Sequence, residues 1–276
     1  MPQSFSLSPW WVASAIAAVL FEILYPLALG LLARRRLGVG WRVFGYGALI
    51  FFLFQIVSRV PAVMALQAVL APQLQGSRPL LFGWLAALSI SAGLFEEVGR
   101  YVGYRWLLRG EKTWATGVMY GLGHGGIESM LLVAGMALLS LANLVALSNM
   151  DLAALPLSEA QRAQLEAQLA AVRALPGWTP LLGAWERLWA LPFHVAMSVV
   201  VLQVFRRGGL GWLWLAIGAH ALLNFAAVAL PLALGLQGIQ ALLLPEAIVA
   251  AAGVASLWAI FRLRALEASG EQGGRA

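Results

Sequence analysis

The chain has 276 residues, of which 61% are hydrophobic and only 11% are charged. A soluble domain carries about 25% charged residues, which cover its water-facing surface. The composition therefore excludes a soluble globular protein, a disordered chain and a nucleic-acid-binding protein, although the formal net charge is +6. The absence of cysteine also excludes disulfides, thiolate nucleophiles and cysteine-ligated metals. A polytopic membrane protein remains.

Seven stretches of the chain are long and apolar enough to cross a bilayer, which takes about 20 mostly apolar residues. They are residues 9–33, 43–71, 79–108, 113–147, 180–205, 210–235 and 239–261. We therefore predict an all-α fold, a polytopic transmembrane helix bundle with seven spans. The spans are expected to form a single domain over residues 1–265, followed by a disordered polar tail at 266–276.

Lysine and arginine lie almost entirely on one side of the predicted spans. Twelve lie on the side of the C-terminus, namely Arg34, Arg35, Arg36, Arg42, Arg105, Arg109, Lys112, Arg206, Arg207, Arg262, Arg264 and Arg275. Three lie on the other side, namely Arg78, Arg162 and Arg173. Because basic loops stay in the cytoplasm, we predict an N-terminus outside and a cytoplasmic C-terminus. The predicted location is the cytoplasmic membrane of a prokaryote.

One longer segment, residues 148–179, lies outside the predicted spans on the extracytoplasmic side. Ser158 is a candidate N-cap, and the Ala/Gln/Leu/Glu/Arg pattern after it is typical of a helix. Leu155, Leu165, Leu169 and Val172 predict an amphipathic helix that lies on the outer surface.

Several ionisable residues fall inside the predicted spans, where they are costly and indicate function. All three histidines, His124, His194 and His220, lie in apolar stretches, and the third span adds Glu96 and Glu97. At a rise of about 1.5 Å per residue, Glu97 and the histidines each lie roughly 15–18 Å from the basic end of their span. We therefore expect four helices to bring these groups together near the bilayer midplane.

Two of the histidines have a polar residue one helical turn away on the same face. His124 is followed by Glu128 and His220 by Asn224. Such a pair suits two metal ligands, or a base with the residue that orients it. Glu128 fits equally well as a ligand and as a residue that orients His124.

The third span places further polar residues beside its two glutamates. Arg100 follows Glu96 by one turn and is expected to pair with it, whereas Glu96 and Glu97 should point about 100° apart. Tyr101 is a candidate for a hydrogen bond across the site, although a packing role is favoured. Around His124, the glycines at 121, 123, 125 and 126 would permit close helix packing or the approach of an extended substrate.

Two chemistries fit three histidines with carboxylates. One is a Zn²⁺ site with nitrogen and oxygen ligands that activates water. The other needs no metal: a glutamate–histidine pair activates water, and a histidine–asparagine pair stabilises an oxyanion. Counting candidate ligands does not separate the two.

The order of these motifs resembles the type II prenyl (CAAX) endopeptidase superfamily. Glu-Glu-x-x-Arg-Tyr, Gly-x-Gly-His-Gly-x-x-Glu, a lone histidine and His-x-x-x-Asn follow one another between residues 79 and 224. This form looks most like the YhfC branch, which is described as intramembrane metalloproteases. The prenyl endopeptidases place three residues between the glutamate pair and the arginine, whereas Arg100 follows Glu97 after two.

The resemblance implies a helical membrane protease acting on a membrane-embedded or membrane-proximal peptide. It assigns the catalytic role to Glu96 or Glu97, with Glu96 favoured as the base and His124 as its partner. His220 and Asn224 would face the oxyanion or a metal. Candidate ligands for a divalent metal such as Zn²⁺ are His124, His194 and His220.

Two alternatives stay open at this point. A proton-coupled carrier would also use intramembrane glutamate and histidine, although no inverted repeat is visible. A non-catalytic scaffold could bind partner helices through the glycine-rich fourth span, as the superfamily also contains the Aph scaffold subunit of gamma-secretase.

Overall fold

The computed structural model describes residues 7–151 and 154–273, with side chains up to residue 266. In these ranges the regular elements are helical. They are α1 (Pro9–Leu37), α2 (Trp41–Phe51), π1 (Phe52–Arg59), α3 (Val60–Gly76), α4 (Arg78–Trp106), α5 (Trp114–Ile127), π2 (Glu128–Val133), α6 (Ala134–Ser148), α7 (Glu159–Ala174), α8 (Leu181–Arg206), α9 (Gly211–Ala233) and α10 (Gly238–Gly273).

Seven helices among the described residues are long and apolar enough to cross a membrane, which confirms the predicted polytopic helical bundle. Two of them contain a π segment: α2, π1 and α3 form one continuous helix (Trp41–Gly76), and α5, π2 and α6 form another (Trp114–Ser148). Several helices begin where the sequence supplies a side-chain cap. Ser8, Ser77 and Thr113 each accept a hydrogen bond from a backbone N–H of the first turn.

The basic loops lie at one end of the bundle, which we call the basic end. Arg42 at the start of α2 forms an ion pair with Glu111 in the loop between α4 and α5. Arg206 at the end of α8 donates to the carbonyl of Lys112 at 3.2 Å. The chain therefore returns to this end after α1, α4 and α8, as the distribution of arginines predicts.

The helices pack most closely in the half of the bundle near the basic end. A Cβ built on Gly123 would lie 1.9 Å from the carbonyl oxygen of Phe44, and one on Gly121 would lie 2.6 Å from Cα of Val195. The absence of side chains at these glycines lets α5 touch the backbones of α2 and α8. The glycines around His124 therefore serve helix packing, and no space is left there for a substrate chain.

The other half, towards the opposite end, is packed more loosely. No residue of α3 is buried, and Ala134 is the one buried residue of α6. α3 follows π1 and α6 follows π2, and both lie at the periphery of the bundle. The central helix is α8, whose buried residues run from Arg187 to Gln203.

The segment between α6 and α8 contains the predicted surface helix. Ser158 caps α7 through a complete capping box with Gln161, as its position in the sequence indicates. Leu169 is buried and Leu165 is half-buried, whereas most of α7 is exposed.

The predicted disordered tail at 266–276 begins as a continuation of the last helix. α10 extends to Gly273, and residues 274–276 lie outside the described residues. Ala265, Leu266 and Ala268 are strong helix formers, which explains why the helix does not stop at residue 261, where the predicted span ends.

Candidate active site

Glu96 of α4 lies at the point where three imidazole rings from three other helices converge. His124 Nε2 of α5 lies 3.1 Å from Glu96 Oε2, and His194 Nδ1 of α8 lies 3.7 Å from the same oxygen. His220 Nε2 of α9 lies 3.6 Å from Glu96 Oε1. All four residues are buried. The three histidines predicted to share one depth thus lie around one carboxylate, that of Glu96.

Glu97 and Arg100 complete this group on its fully buried side. Arg100 forms its close ion pair with Glu97, while its distance to Glu96 is 3.6 Å. The expected Glu96–Arg100 pair is therefore the weaker of the two, because the shorter i,i+3 spacing brings Glu97 to the guanidinium. Glu97 Oε1 also accepts a 2.7 Å hydrogen bond from His220 Nδ1. Both glutamates thus lie near His220, in spite of their expected divergence.

We call these six residues the Glu96 cluster: Glu96, Glu97, Arg100, His124, His194 and His220.

Glu128 lies beside the cluster and contacts His194. Its Oε2 is 2.8 Å from His194 Nε2, and its Oε1 accepts a 2.9 Å hydrogen bond from Arg187. The backbone N–H of Glu128 still bonds to the carbonyl of His124, so the two residues keep helical spacing, and the π segment begins only at Glu128. The carboxylate of Glu128 thus contacts His194 rather than His124.

Arg187 and Gln55 are part of the site although their sequence positions did not indicate it. Arg187 stands near the outer end of its span, where an interfacial arginine is the ordinary expectation, yet it is 5% exposed. Gln55 of π1 donates a hydrogen bond of 2.5 Å to Glu96 Oε1. Arg59 in turn donates to Gln55 Oε1 at 3.2 Å. A glutamine within the largely apolar run 43–57 of the second span was the available signal for Gln55.

A cavity of about 400 Å³ borders the cluster. Glu96, His194 and His220 line it, whereas Glu97, Arg100 and His124 do not. The remaining polar lining residues are Gln55, Arg59, Ser89, Glu128, Glu186, Arg187 and Asn224. A water molecule or a peptide in this cavity would therefore meet Glu96 and not Glu97.

The last two candidate residues lie in different places. Asn224 is half-buried and lines the cavity one turn beyond His220. Tyr101 points to the basic end, where its hydroxyl accepts a hydrogen bond from Arg105 and its ring stacks on Phe205. The structure thus supports the packing role for Tyr101 and does not bring it to the site.

The hydrogen bonds determine which ring nitrogens of the histidines are free. Arg100 can only donate, so His194 Nδ1 accepts its 2.7 Å contact and Nε2–H faces Glu128. His220 Nδ1 donates to Glu97, which leaves the lone pair of a neutral His220 on Nε2. Both nitrogens of His194 therefore have a polar neighbour, whereas the lone pair on Nε2 of a neutral His220 is available to a metal ion.

This set of side chains suits a metal ion. Ligand atoms of Glu96, His124 and His194 lie within 4.8 Å of one another. His124 Nδ1 is buried without a hydrogen-bond partner, and two of the histidines are oriented by a carboxylate, as in many metal sites. Four glutamates (96, 97, 128 and 186) face three arginines (59, 100 and 187), so the surrounding charge favours a cation.

Comparison with known proteins assigns the chain to a family. Residues 21–250 match the family model described as YhfC intramembrane metalloprotease. The chain is also 30% identical over 207 residues to "Uncharacterized membrane protein YhfC" of Bacillus subtilis (strain 168), which covers 74% of this chain and 79% of the relative. No solved structure matches the chain. The match includes every residue of the Glu96 cluster, and this multi-pass membrane protein therefore belongs to the YhfC intramembrane metalloprotease family.

Proposed function

We propose that the protein hydrolyses peptide bonds inside the membrane, with Glu96 as the base that activates water. One observation carries the proposal: the carboxylate of Glu96 borders a cavity and is surrounded by imidazoles from three different helices. Hydrolysis needs a water molecule, a proton acceptor and groups that stabilise charge on the carbonyl oxygen. The described residues around Glu96 supply the acceptor and the stabilising groups.

In the proposed reaction, Glu96 takes a proton from a water molecule in the cavity while the water oxygen bonds to the carbonyl carbon. The bond between carbon and nitrogen then breaks, and the nitrogen leaves with the proton held by Glu96. Hydrogen bonds from Gln55 and His124 hold the carboxylate in place. The side-chain amide of Asn224 can donate to the developing oxyanion from the wall of the cavity.

We further propose zinc as the metal, held by nitrogens of His124 and His220 and by His194, which would exchange its contact with Arg100 or Glu128 for the metal. When bound, it would supply Lewis-acid activation of the water and of the substrate carbonyl. The hydrogen bond from His220 Nδ1 to Glu97 favours a role for Nε2 as a ligand, because a neutral His220 has no proton left to donate to an oxyanion.

Two features favour a hydrolase over the alternative functions. The glycine face of α5 already packs on α2 and α8 of the same chain, so it does not offer a free surface to a partner helix. A carrier needs a route to both sides of the membrane, whereas fully buried Tyr104 and Tyr120 lie between the Glu96 cluster and the basic end.

The test is a comparison of new N-termini in membrane proteins from cells that produce either the wild type or Glu96→Gln. Because glutamine keeps the shape and removes the base, we expect a set of termini in the wild type that is absent from the variant. Glu111→Gln is the matched control, since Glu111 pairs with Arg42 at the basic end. Identical termini in the wild type and Glu96→Gln would refute the proposed function.

A further inference from the structure

The cavity lies on one side of the Glu96 cluster only. On α4 it is lined by Leu88, Ser89 and Ala92, which precede Glu96, and α4 runs towards the basic end. On α9 it is lined by Ala227 and Val228, which follow His220, and α9 runs away from the basic end.

The other helices give the same direction. On α8, which also runs towards the basic end, the lining residues Arg187 and Ala190 precede His194. On π1 and α3, which run away from it, the lining continues to Arg59 and Val60. Each of these helices thus places its part of the cavity wall between the cluster and the opposite end.

On the other side of the cluster, polar contacts and aromatic rings fill the space between α4, α5 and α8. A second, apolar cavity near the basic end, lined by Leu37, Trp114 and Arg264 among others, is not lined by any residue of the Glu96 cluster. The Tyr104 hydroxyl donates to the carbonyl of Ser198 at 2.9 Å, and the Tyr120 hydroxyl donates to that of Arg100 at 3.4 Å. The two tyrosine rings lie 4.8 Å apart, and both residues are completely buried. Because α5 contacts the backbones of α2 and α8 in this half, a path to the basic end would require helices to separate.

We propose that the active site is reached from the end of the bundle opposite the basic residues, which the distribution of arginine and lysine identifies as extracytoplasmic. The substrates would then be membrane proteins with the scissile bond in the outer half of the bilayer or just outside it. The class of substrate in this inference rests on the proposed function, whereas the direction of access is a property of the cavity itself.

The absence of cysteine makes this direction measurable in an otherwise unaltered chain. Ser89→Cys and Ala227→Cys place a thiol in the cavity wall. Ser198→Cys is the matched control on the other side of the cluster: both serines are buried, and each hydroxyl donates to the carbonyl four residues earlier. Asn149→Cys and Arg109→Cys report the exposure of the loops at the two ends.

Each full-length variant is treated with a membrane-impermeant, positively charged methanethiosulfonate, once in spheroplasts and once in inside-out vesicles. In spheroplasts we expect the thiols at 89 and 227 to react at least tenfold faster than the thiol at 198. Asn149→Cys should react in spheroplasts and Arg109→Cys in vesicles. Faster reaction of positions 89 and 227 in vesicles, no reaction from either side, or reversed loop reporters would each overturn the proposal.

The same labelling in a Glu96→Gln background separates the two proposals. Thiol modification does not depend on proteolysis, so the direction of access would stand if the comparison of N-termini failed. Conversely, loss of termini in Glu96→Gln together with labelling from the cytoplasmic side would keep the hydrolase and reject the extracytoplasmic access.

Discussion

At the scale of single residues, the adjacent glutamates Glu96 and Glu97 differ in what surrounds them. Glu96 borders the cavity and accepts hydrogen bonds from Gln55 and His124. Glu97 is completely buried and holds Arg100 and His220. A reacting group must meet its substrate, whereas a group that positions others need not, and the geometry therefore favours Glu96 as the base and Glu97 as a positioning residue.

Glu97→Gln should destabilise the protein more than Glu96→Gln. It removes the nearest carboxylate of buried Arg100, and loss of one partner of a buried ion pair costs about 3–5 kcal/mol. Glu96 lies 3.6 Å from the guanidinium and contributes less to its compensation. Tryptophan fluorescence during heating in detergent measures both midpoints, and equal midpoints would contradict this difference.

Gln55→Leu should lower the rate of cleavage about 10- to 100-fold while the protein stays folded. The substitution removes the hydrogen bond to Glu96 Oε1, and loss of a residue that orients an active-site group has effects of this size. Gln67→Leu is the control, because Gln67 is an exposed glutamine of the same continuous helix. The appearance of new N-termini over time gives the rate, and equal rates in both variants would exclude the role of Gln55.

At the scale of helices, irregular geometry and glycine determine which side chains meet. The π segments begin at Phe52 and Glu128, and they contain Gln55 and Glu128, which contact members of the Glu96 cluster. π geometry changes which faces of the helix follow one another, and it often occurs at functional sites. The glycines of α5 bring its backbone against α2 and α8, so His124 can reach Glu96.

Gly123→Ala should separate α2 from α5 and lower the free energy of unfolding by about 1–3 kcal/mol or more. The added Cβ would lie 1.9 Å from the carbonyl oxygen of Phe44, where backbone cannot give way locally. Gly135→Ala, in the same continuous helix, meets no atom within 4 Å and should be neutral or stabilising by up to about 1 kcal/mol. Thermal midpoints in detergent measure both effects, and a Gly123→Ala variant with the midpoint of the wild type would refute the close packing.

At the scale of the whole molecule, the two halves of the bundle differ in packing. In the half near the basic end, glycine contacts and buried tyrosines separate the Glu96 cluster from the end of the bundle, whereas the other half contains the cavity that borders Glu96 and the peripheral segments α3 and α6. Side chains from α4, α5, α8 and α9 meet at the boundary between these halves. A ligand held there would connect four helices and stabilise the entire bundle.

Metal removal should therefore have a global effect. We expect about one equivalent of zinc per chain by elemental mass spectrometry, and loss of the metal in both His124→Ala and His220→Ala. Chelation should lower the thermal midpoint of the wild type, since a ligand at a thousand times its Kd stabilises by about 4 kcal/mol. The midpoint of His220→Ala should not respond to the chelator. A metal-free wild type, purified without chelators, would leave hydrolysis by Glu96 without a metal.

Much of this architecture follows from the sequence. Runs of apolar residues must leave water, which determined the seven helices, and the arginines marked one end of the bundle. Glu96, Glu97 and the three histidines stood out in the sequence because ionisable residues are costly inside a membrane and therefore indicate function. Their common distance from the basic end was enough to predict that they meet.

The partners of those residues depended on the tertiary structure. Arg100 lies closer to Glu97 than to Glu96, and Glu128 contacts His194. Gln55 and Arg187 also belong to the site. Helical spacing assumes a regular α-helix and says nothing about neighbouring helices, so it misses both π geometry and contacts across the bundle. The side on which the cavity lies was likewise decided by packing, because the sequence gives the depth of a group but not the space around it.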